Sequence, residues 1–357
     1  MKKLPSLQDV ANVAGVSKMT VSLALRDHPR ISTATRDRVK KAAAQVGYQP
    51  NPEVSQFMKA IRKKPTADGF PLAYVTTGET LRGWRDSPTE FAYWEGACER
   101  AASYGYYLEE YWLEMPRMSG RRLSDILWNR GIKGIIIPPI FRVLSQTNRE
   151  MTLDLNWDRF CSVTIGDPLT SPRINRVLHD HYSSVLTAMS RLVDLGYRRI
   201  GLCLREHMDL TVNQRWQAGY RVFRTSHPVE RIEPLIRPVL QAPVVKDWIH
   251  QNRLEAVLSA DLRMPEIFEE MGIEMGTEIA YADLDLELEK PLYRNISGIV
   301  QNSTLLGMAA VDLLVTNLHR SQTGIPKVPF VTQIQGDWLE RGSTPRRRDN
   351  EATTEGR

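Results

Sequence analysis

Residues 6–25 read SLQDVANVAGVSKMTVSLAL, and two short helices joined by a tight turn account for the whole stretch. Ser6 is placed to cap the first helix, with Asp9 three residues on to complete a capping box. Val10, Ala11 and Ala14 then recur at helical spacing on one face. Gly15 supplies the corner, where a backbone without a Cβ is needed. Ser17 opens the second helix, whose Val21 and Leu25 turn back onto the first. The small Ala11 lets the two backbones approach closely, so Lys18, Met19, Ser22 and Leu23 are expected on the outside. The unit is a helix-turn-helix, whose second helix has the dimensions to enter a DNA major groove.

Alanine-rich helical hairpins are common and most never meet DNA. Charge separates this one from them. Residues 1–64 hold 13 Lys and Arg against 4 Asp and Glu, whereas the rest of the chain holds 34 against 38. A basic head on a mildly acidic body suits a phosphate-binding module joined to something that does not bind nucleic acid. A third helix is expected from Ile31 to Tyr48, capped by Ser32, with Val39, Ala42, Ala43 and Val46 inward and Gly47 at its end. The connector QPNPEVSQFMKAI (49–61) follows. Asn51 can cap a short helix with Pro52 in its first turn. Its apolar Val54, Phe57, Met58 and Ile61 have no core to enter, and so short a helix needs a partner or DNA to fold.

Residues 6–58 resemble the DNA-binding head and hinge of the LacI/GalR family of bacterial transcription regulators. The resemblance rests on Asp9-Val10-Ala11, Ala14-Gly15-Val16-Ser17, Thr20-Val21-Ser22 and Gly47-Tyr48-x-Pro50-Asn51. It implies a homodimer on a pseudo-palindromic double-stranded DNA operator, with paired hinge segments in the minor groove. Asn51, Val54, Phe57 and Met58 would form that hinge contact, and Phe57 would be the apolar wedge that opens the central base step. In the major groove the resemblance implies contacts from Ser17, Lys18, Met19, Thr20, Ser22, Leu23 and Ser32. Lys18, Met19 and Leu23 stand at base-reading positions, and Thr20, Ser22 and Ser32 at phosphate contacts. Lys18 can donate to guanine O6 or N7, while Met19 and Leu23 can pack on thymine methyls. Leu23 departs from the polar or basic residues common there, so the operator is not to be copied from any better-known relative.

Beyond residue 70, short apolar runs alternate with helical stretches, in a chain that is 42% apolar overall. Leu72–Val75, Gly134–Ile137, Arg199–Leu204 and Ala256–Ser259 read as buried strands. Ala97–Tyr104, Ser183–Leu195 and Leu305–Leu314 read as helices. Such alternation implies doubly wound parallel sheets with ligands at the strand carboxyl ends. The resemblance continues more loosely to residue 344. It implies a small all-α head followed by two Rossmann-like lobes of the periplasmic-binding-protein kind, both with parallel sheets.

The expected division is a head at 1–49, a hinge and linker at 50–69, and a two-lobed effector-binding and dimerisation domain at 70–344. Lobe 1 would take about 70–180 and 304–332, lobe 2 about 181–303 and 333–344. Three crossovers would fall near Leu178–His181, Gln301–Thr304 and Thr332–Gln335, and residues 345–357 would be a disordered tail. The effector, a sugar or sugar-like polyol, would meet Thr89, Glu90, Asp167, Asp180, Asp285 and either Arg215 or Trp216. The pattern slips by one residue at that last pair: either Arg215 reaches in, or Trp216 stacks on the ligand.

No catalytic motif rises from the rest of the chain. There is no glycine-rich nucleotide loop, nucleophile elbow or His-Glu-x-x-His, so neither an enzyme nor a cofactor is expected. His179-Asp180-His181 has no second ligand cluster and is read as non-metal. Cys98, Cys161 and Cys203 are expected to be buried thiols. Met1-Lys2-Lys3 precedes no apolar run and no stretch could span a membrane. A bacterial cytoplasmic, nucleoid-associated setting is expected. The alternative reading, a solute-binding protein with a basic N-terminus, would call for a secretion signal.

Overall fold

The computed structural model describes residues 7–25, 31–48, 69–78, 80–139 and 151–347. They fall into two compact units, one within residues 1–66 and one within 67–357. Ser6, the hinge residues Asn51, Val54, Phe57 and Met58, and the segment 348–357 lie outside the described residues.

The head is three helices, α1 (Leu7–Ala14), α2 (Lys18–Ala24) and α3 (Thr33–Val46). Val10, Ala11, Ala14, Val21, Ala24, Val39, Ala42 and Ala43 form its core, with Leu25, Val46 and Tyr48 partly buried against it. Gly15 and Gly47 have φ of 63° and 70°, the left-handed region that ends a helix without a Cβ penalty. The inward residues are small, so the helices pack closely with little apolar bulk.

The second unit contains two six-stranded sheets. The first is built from β1 (Phe70–Thr76), β2 (Tyr106–Trp112), β3 (Gly134–Ile137), β5 (Cys161–Ile165), β7 (Asn175–His179) and β13 (Val331–Ile334), in the order β13-β7-β5-β3-β1-β2. All its pairs are parallel. A small side sheet pairs β4 (Met151–Thr152) with β6 (Leu169–Ser171). The second large sheet contains β8 (Ile200–Arg205), β9 (Leu235–Arg237), β10 (Ala256–Ser259), β11 (Ala280–Asp283), β12 (Ser297–Val300) and β14 (Asp337–Leu339), in the order β14-β12-β11-β10-β8-β9. Helices α4 (Pro88–Ser103), α5 (Gly120–Asn129) and α11 (Ser303–His319) belong to the first lobe. Helices α6 (His181–Asp194), α7 (Glu206–Thr211), α8 (Arg215–Ser226), α9 (Ala242–Gln251) and α10 (Met264–Met271) belong to the second. The four strands and three helices expected from apolar runs all lie within these elements or overlap them.

Two expectations need correction. The second sheet is not wholly parallel, because β14 runs antiparallel to β12. The parallel strands of both lobes point their carboxyl ends at the cleft between them. The chain leaves β13 at that cleft and enters lobe 2 from it after only Gln335 and Gly336, so β14 must run the opposite way. The expected disorder also does not begin at Pro345. Tyr197 donates its hydroxyl proton to the Pro345 carbonyl, Arg347 N–H donates to the Leu195 carbonyl, and the Arg347 guanidinium pairs with Glu255. Pro345–Arg347 is therefore docked on lobe 2, its polar residues answered by polar groups there.

The chain passes between lobes at Asp180, at Gln301 and Asn302, and at Gln335 and Gly336. These passages are laced together. Asp180 N–H donates to the Ile334 carbonyl at 2.9 Å, and Asn302 Nδ2 donates to Asp337 Oδ2 at 2.9 Å and to the Gln335 carbonyl at 3.2 Å. Beyond the second passage, α11 lies against α4 at two glycines. A Cβ on Gly96 would overlap the Thr304 carbonyl, and one on Gly307 would overlap the Tyr93 carbonyl.

Alanine at either glycine would gain about 1 kcal/mol of helix propensity. Prying two packed backbones apart typically costs about 1–3 kcal/mol. The clash here is with backbone, which cannot rotate away, so Gly96→Ala and Gly307→Ala should each lower the melting temperature of the second unit by several degrees. A melting temperature at or above that of the parent chain would refute the close contact.

Candidate functional site

In the head, the exposed face of α2 carries Lys18 and Met19, the latter 72% exposed. Thr20, Ser22 and Leu23 are half-buried beside them, while Val21 and Ala24 enter the core. Ser17 caps α2, accepting from Thr20 N–H at 3.1 Å, and its hydroxyl is 2.9 Å from the Thr20 hydroxyl. Ser32 caps α3 in the same way through Thr35, at 3.3 Å and 2.9 Å. Both serines thus fix helix starts as well as lying on the exposed surface. One basic residue is committed elsewhere: Arg36 donates from Nε and Nη2 to the Ile31 carbonyl at 3.1 and 3.0 Å.

In the second unit, polar side chains gather where the strands of both lobes end. Asp167 follows β5 in lobe 1, and Arg215 begins α8 in lobe 2; they form an ion pair across the cleft. Asp167 is also held by Arg176 of its own lobe at 3.2 Å. A second bridge starts at the opening of α4. Ser87 caps that helix by accepting from Glu90 N–H at 3.4 Å, with Pro88 in the first turn. This presents Thr89, whose hydroxyl donates to Glu287 Oε1 of lobe 2 at 3.2 Å. Burial pushes the neighbouring Glu90 carboxyl up to about 8. In lobe 2, burial and then the charge of Glu287 push Asp285 up to about 7. Glu287 is only 6% exposed and is raised by burial as well.

The residues expected at an effector site therefore divide. Thr89, Asp167 and Arg215 take part in contacts that join the lobes, and Glu90 and Asp285 both lie within electrostatic reach of Tyr93 on α4. Trp216 is 2% exposed and lies in the lobe 2 core, edge-on to His181 with ring centroids 5.1 Å apart. Of the two readings of the slipped pair, Arg215 reaches in. Asp180 is occupied as the cap of α6, accepting from Ser183 N–H at 3.1 Å and from its hydroxyl at 2.7 Å. His179 pairs its Nε2 with the Ser184 hydroxyl at 2.6 Å, a structural role within the first passage. Cys161 and Cys203 are buried, whereas Cys98 is only half-buried, on the edge of α4. No described helix is long and apolar enough to cross a membrane.

Sequence reasoning missed Glu287, Arg176, and the Arg205–Asp261 pair at 2.6 Å. No local signal marked Glu287: the chain bends at Leu284 and Asp285 after β11, and Leu284 and Leu286 enter different cores.

Comparison with known proteins bears on the head and on the fold. Residues 6–51 match the family described as bacterial regulatory proteins, lacI family. The HTH-type transcriptional regulator GntR of Escherichia coli (strain K12) is 36% identical over 140 residues, which cover 38% of this chain and 37% of that protein. The chain thus spans little more than a third of that relative. The regulator KdgR of Bacillus subtilis (strain 168) is 23% identical over 332 residues, covering 88% of this chain and 91% of that one. Among solved structures, the transcriptional regulator CelR in complex with cellobiose superposes with a TM-score of 0.58 at 20% identity, covering 95% of this chain and 99% of that chain. The Lac repressor dimer bound to operator and the anti-inducer ONPF gives 0.55 at 20%, covering 96% and 100%. These two likenesses show the fold: a helical head followed by two α/β lobes. Residues 6–51 thus match the lacI family of bacterial regulatory proteins, and the remainder of the chain shares the two-lobed fold of these structures.

The raised carboxyls have a measurable consequence. A group whose folded pKa lies above its unfolded value binds its proton more tightly when folded. Its stabilisation is complete below the unfolded value and is lost as pH rises through the folded one. For Asp285 and Glu90 that window runs from about 4 to about 8. All 8 tryptophans lie beyond residue 67, so their fluorescence reports the second unit alone. These two carboxyls should contribute less to the melting temperature as pH rises from about 5 to about 8, so the double variant Asp285→Asn with Glu90→Gln should lose less stability over that range than the parent chain. An equal or larger loss in the double variant would contradict the assignment.

Proposed function

We propose that this protein is a sequence-specific DNA-binding transcription regulator, a repressor of carbohydrate-utilisation genes. In this reading it binds a pseudo-palindromic operator as a homodimer, in the bacterial cytoplasm at the nucleoid. The observation that carries the reading is the α2 face, where Lys18 and Met19 stand exposed on a helix held by a tight helical corner. Lys18 donates to a guanine edge, Met19 and Leu23 pack on thymine methyls, and Ser17, Thr20, Ser22 and Ser32 position the head on the phosphates. Phe57, with Asn51, Val54 and Met58, supplies the minor-groove contact. The relatives that match are named as transcriptional regulators, which supports a regulator over an enzyme.

The second unit is the sensor. A small polyol or sugar enters between the lobes and competes for the groups that now bridge them, Arg215 with Asp167 and Thr89 with Glu287. Complexes of CelR with cellobiose and of the Lac repressor with ONPG support a sugar-like effector. A change in lobe angle then alters the separation of the two hinge segments in the dimer. A hundredfold change in operator affinity requires only about 2.7 kcal/mol of coupling, which a few such bridges supply.

Operator selection from random duplexes, followed by titration at several salt concentrations, tests the reading. A two-fold-symmetric site and steeply salt-dependent binding are expected. Lys18→Ala should then lose about 1–3 kcal/mol of discrimination at one base pair in each half-site, leaving the other positions unaltered. Unchanged selectivity there would remove Lys18 from the readers.

A further inference from the structure

Strand β13 closes one side of the lobe 1 sheet, and its outer edge pairs with no strand among the described residues. Val331, Thr332 and Gln333 are exposed, and Ile334 is half-buried. The chain leading into the strand leaves more apolar surface in solvent: Ile325 is 52% exposed, Val328 77%, Phe330 63% and Val331 54%. From Val328 to Gln335 the sequence VPFVTQIQ holds no charge. Sheet edges that must stay single are ordinarily blunted by charged side chains, prolines, bulges or a covering element. Pro329 stands just before β13, but within the strand there is neither charge nor proline.

The backbone says how this edge can be used. The Phe330 carbonyl accepts from Arg176 N–H and the Ile334 carbonyl from Asp180 N–H, both at 2.9 Å. Alternation along the ladder then turns the N–H and C=O of Val331 and Gln333 outward. One antiparallel register about a two-fold axis pairs all four of these groups with a second copy of the same strand. It sets Val331 of each copy opposite Gln333 of the other, with Thr332 facing its counterpart on the axis. An axis at Val331 would spend Gln333 on Pro329, which has no N–H, and an axis at Gln333 would spend Val331 on Gln335, outside the strand. The side chains fit the same register. Phe330 falls opposite Ile334 of the second copy and Thr332 opposite Thr332; aromatic with β-branched and threonine with threonine are favourable cross-strand pairs. Exposed Lys327, ahead of the strand, is brought toward exposed Asp337, beyond it, so opposite charges meet at both ends.

We propose that a second copy of this chain docks on β13, edge to edge and antiparallel around a two-fold axis at Thr332, joining the two lobe 1 sheets into one. The contact is isologous, with one patch serving both copies. A strand of another protein would find the main-chain groups; a second copy also matches the side chains and the terminal charges. The proposal stands on the second unit and does not depend on DNA binding.

Sedimentation velocity of the full chain, from dilute to concentrated samples, tests the contact. Gln333→Pro removes one outward N–H and leaves the inner ladder intact, while Val331→Lys places a charge on the edge. The parent chain should hold twice as many copies per particle as either variant at the same concentration, with melting curves confirming that both variants fold. Thr332→Cys tests the register, because facing Cα atoms of a non-hydrogen-bonded antiparallel pair lie about 4.5 Å apart, within disulfide reach. Under mild oxidation this variant should form a covalent pair that the parent, with Cys98, Cys161 and Cys203 alone, does not. Equal particle masses for parent and variants would overturn the second copy as occupant and leave the edge to a segment of another protein. Cross-linking through Val331→Cys but not through Thr332→Cys would overturn the register.

Discussion

The contact between α4 and α11 at Gly96 and Gly307 is the constraint from which the cleft follows. Helix α11 is the first element the chain builds after crossing back from lobe 2, and its missing Cβ atoms let it lie directly on the backbone of α4. Because α4 is held there, its capped first turn presents Thr89 and Glu90 toward lobe 2 rather than toward solvent. The passage just before α11 is itself anchored, since Gln301 donates to the Leu284 carbonyl at 3.1 Å and Asn302 ties to the third passage. The Leu284–Glu287 segment, which carries the lobe 2 acids, is thereby tied to the same hinge. Packing, hinge and site are one mechanical unit.

Electrostatics then decides what that unit responds to. Asp167 has two arginines, one from each lobe, and its charge is answered whether or not a ligand is present. Glu90, Asp285 and Glu287 have no such partners, so burial drives them toward their neutral forms. One end of the cleft is therefore a stable ion-paired latch. At the other end lie acids that burial raises above the usual carboxylate range.

Much of this was legible in the residues. The helix-turn-helix could be read because its signals are local: a glycine corner, serine caps and small inward residues at helical spacing. The parallel strands could be read because strands covered on both faces are short apolar runs. Legibility failed wherever the deciding partner lay far along the chain. Nothing near Arg215 says that it pairs with Asp167 while Trp216 turns inward; that depends on lobe 2 packing around His181. The direction of β14 depends on the entry point of the third passage, and the docking of Pro345–Arg347 on Tyr197 and Glu255, residues 148 and 92 positions earlier. Glu287 was missed because the chain bends at Leu284 and Asp285, so strand alternation does not carry through to it.

The central claim is that the bridges across the cleft and the grip of the head on DNA are coupled. Fluorescence anisotropy of the selected operator, titrated with the parent chain and with Asp167→Asn at equal salt, tests it most directly. Loss of the latch should change operator affinity by at least about tenfold, about 1.4 kcal/mol, while binding to unrelated duplex stays the same. Superimposable operator isotherms from a folded Asp167→Asn variant would show that the cleft and the head act independently.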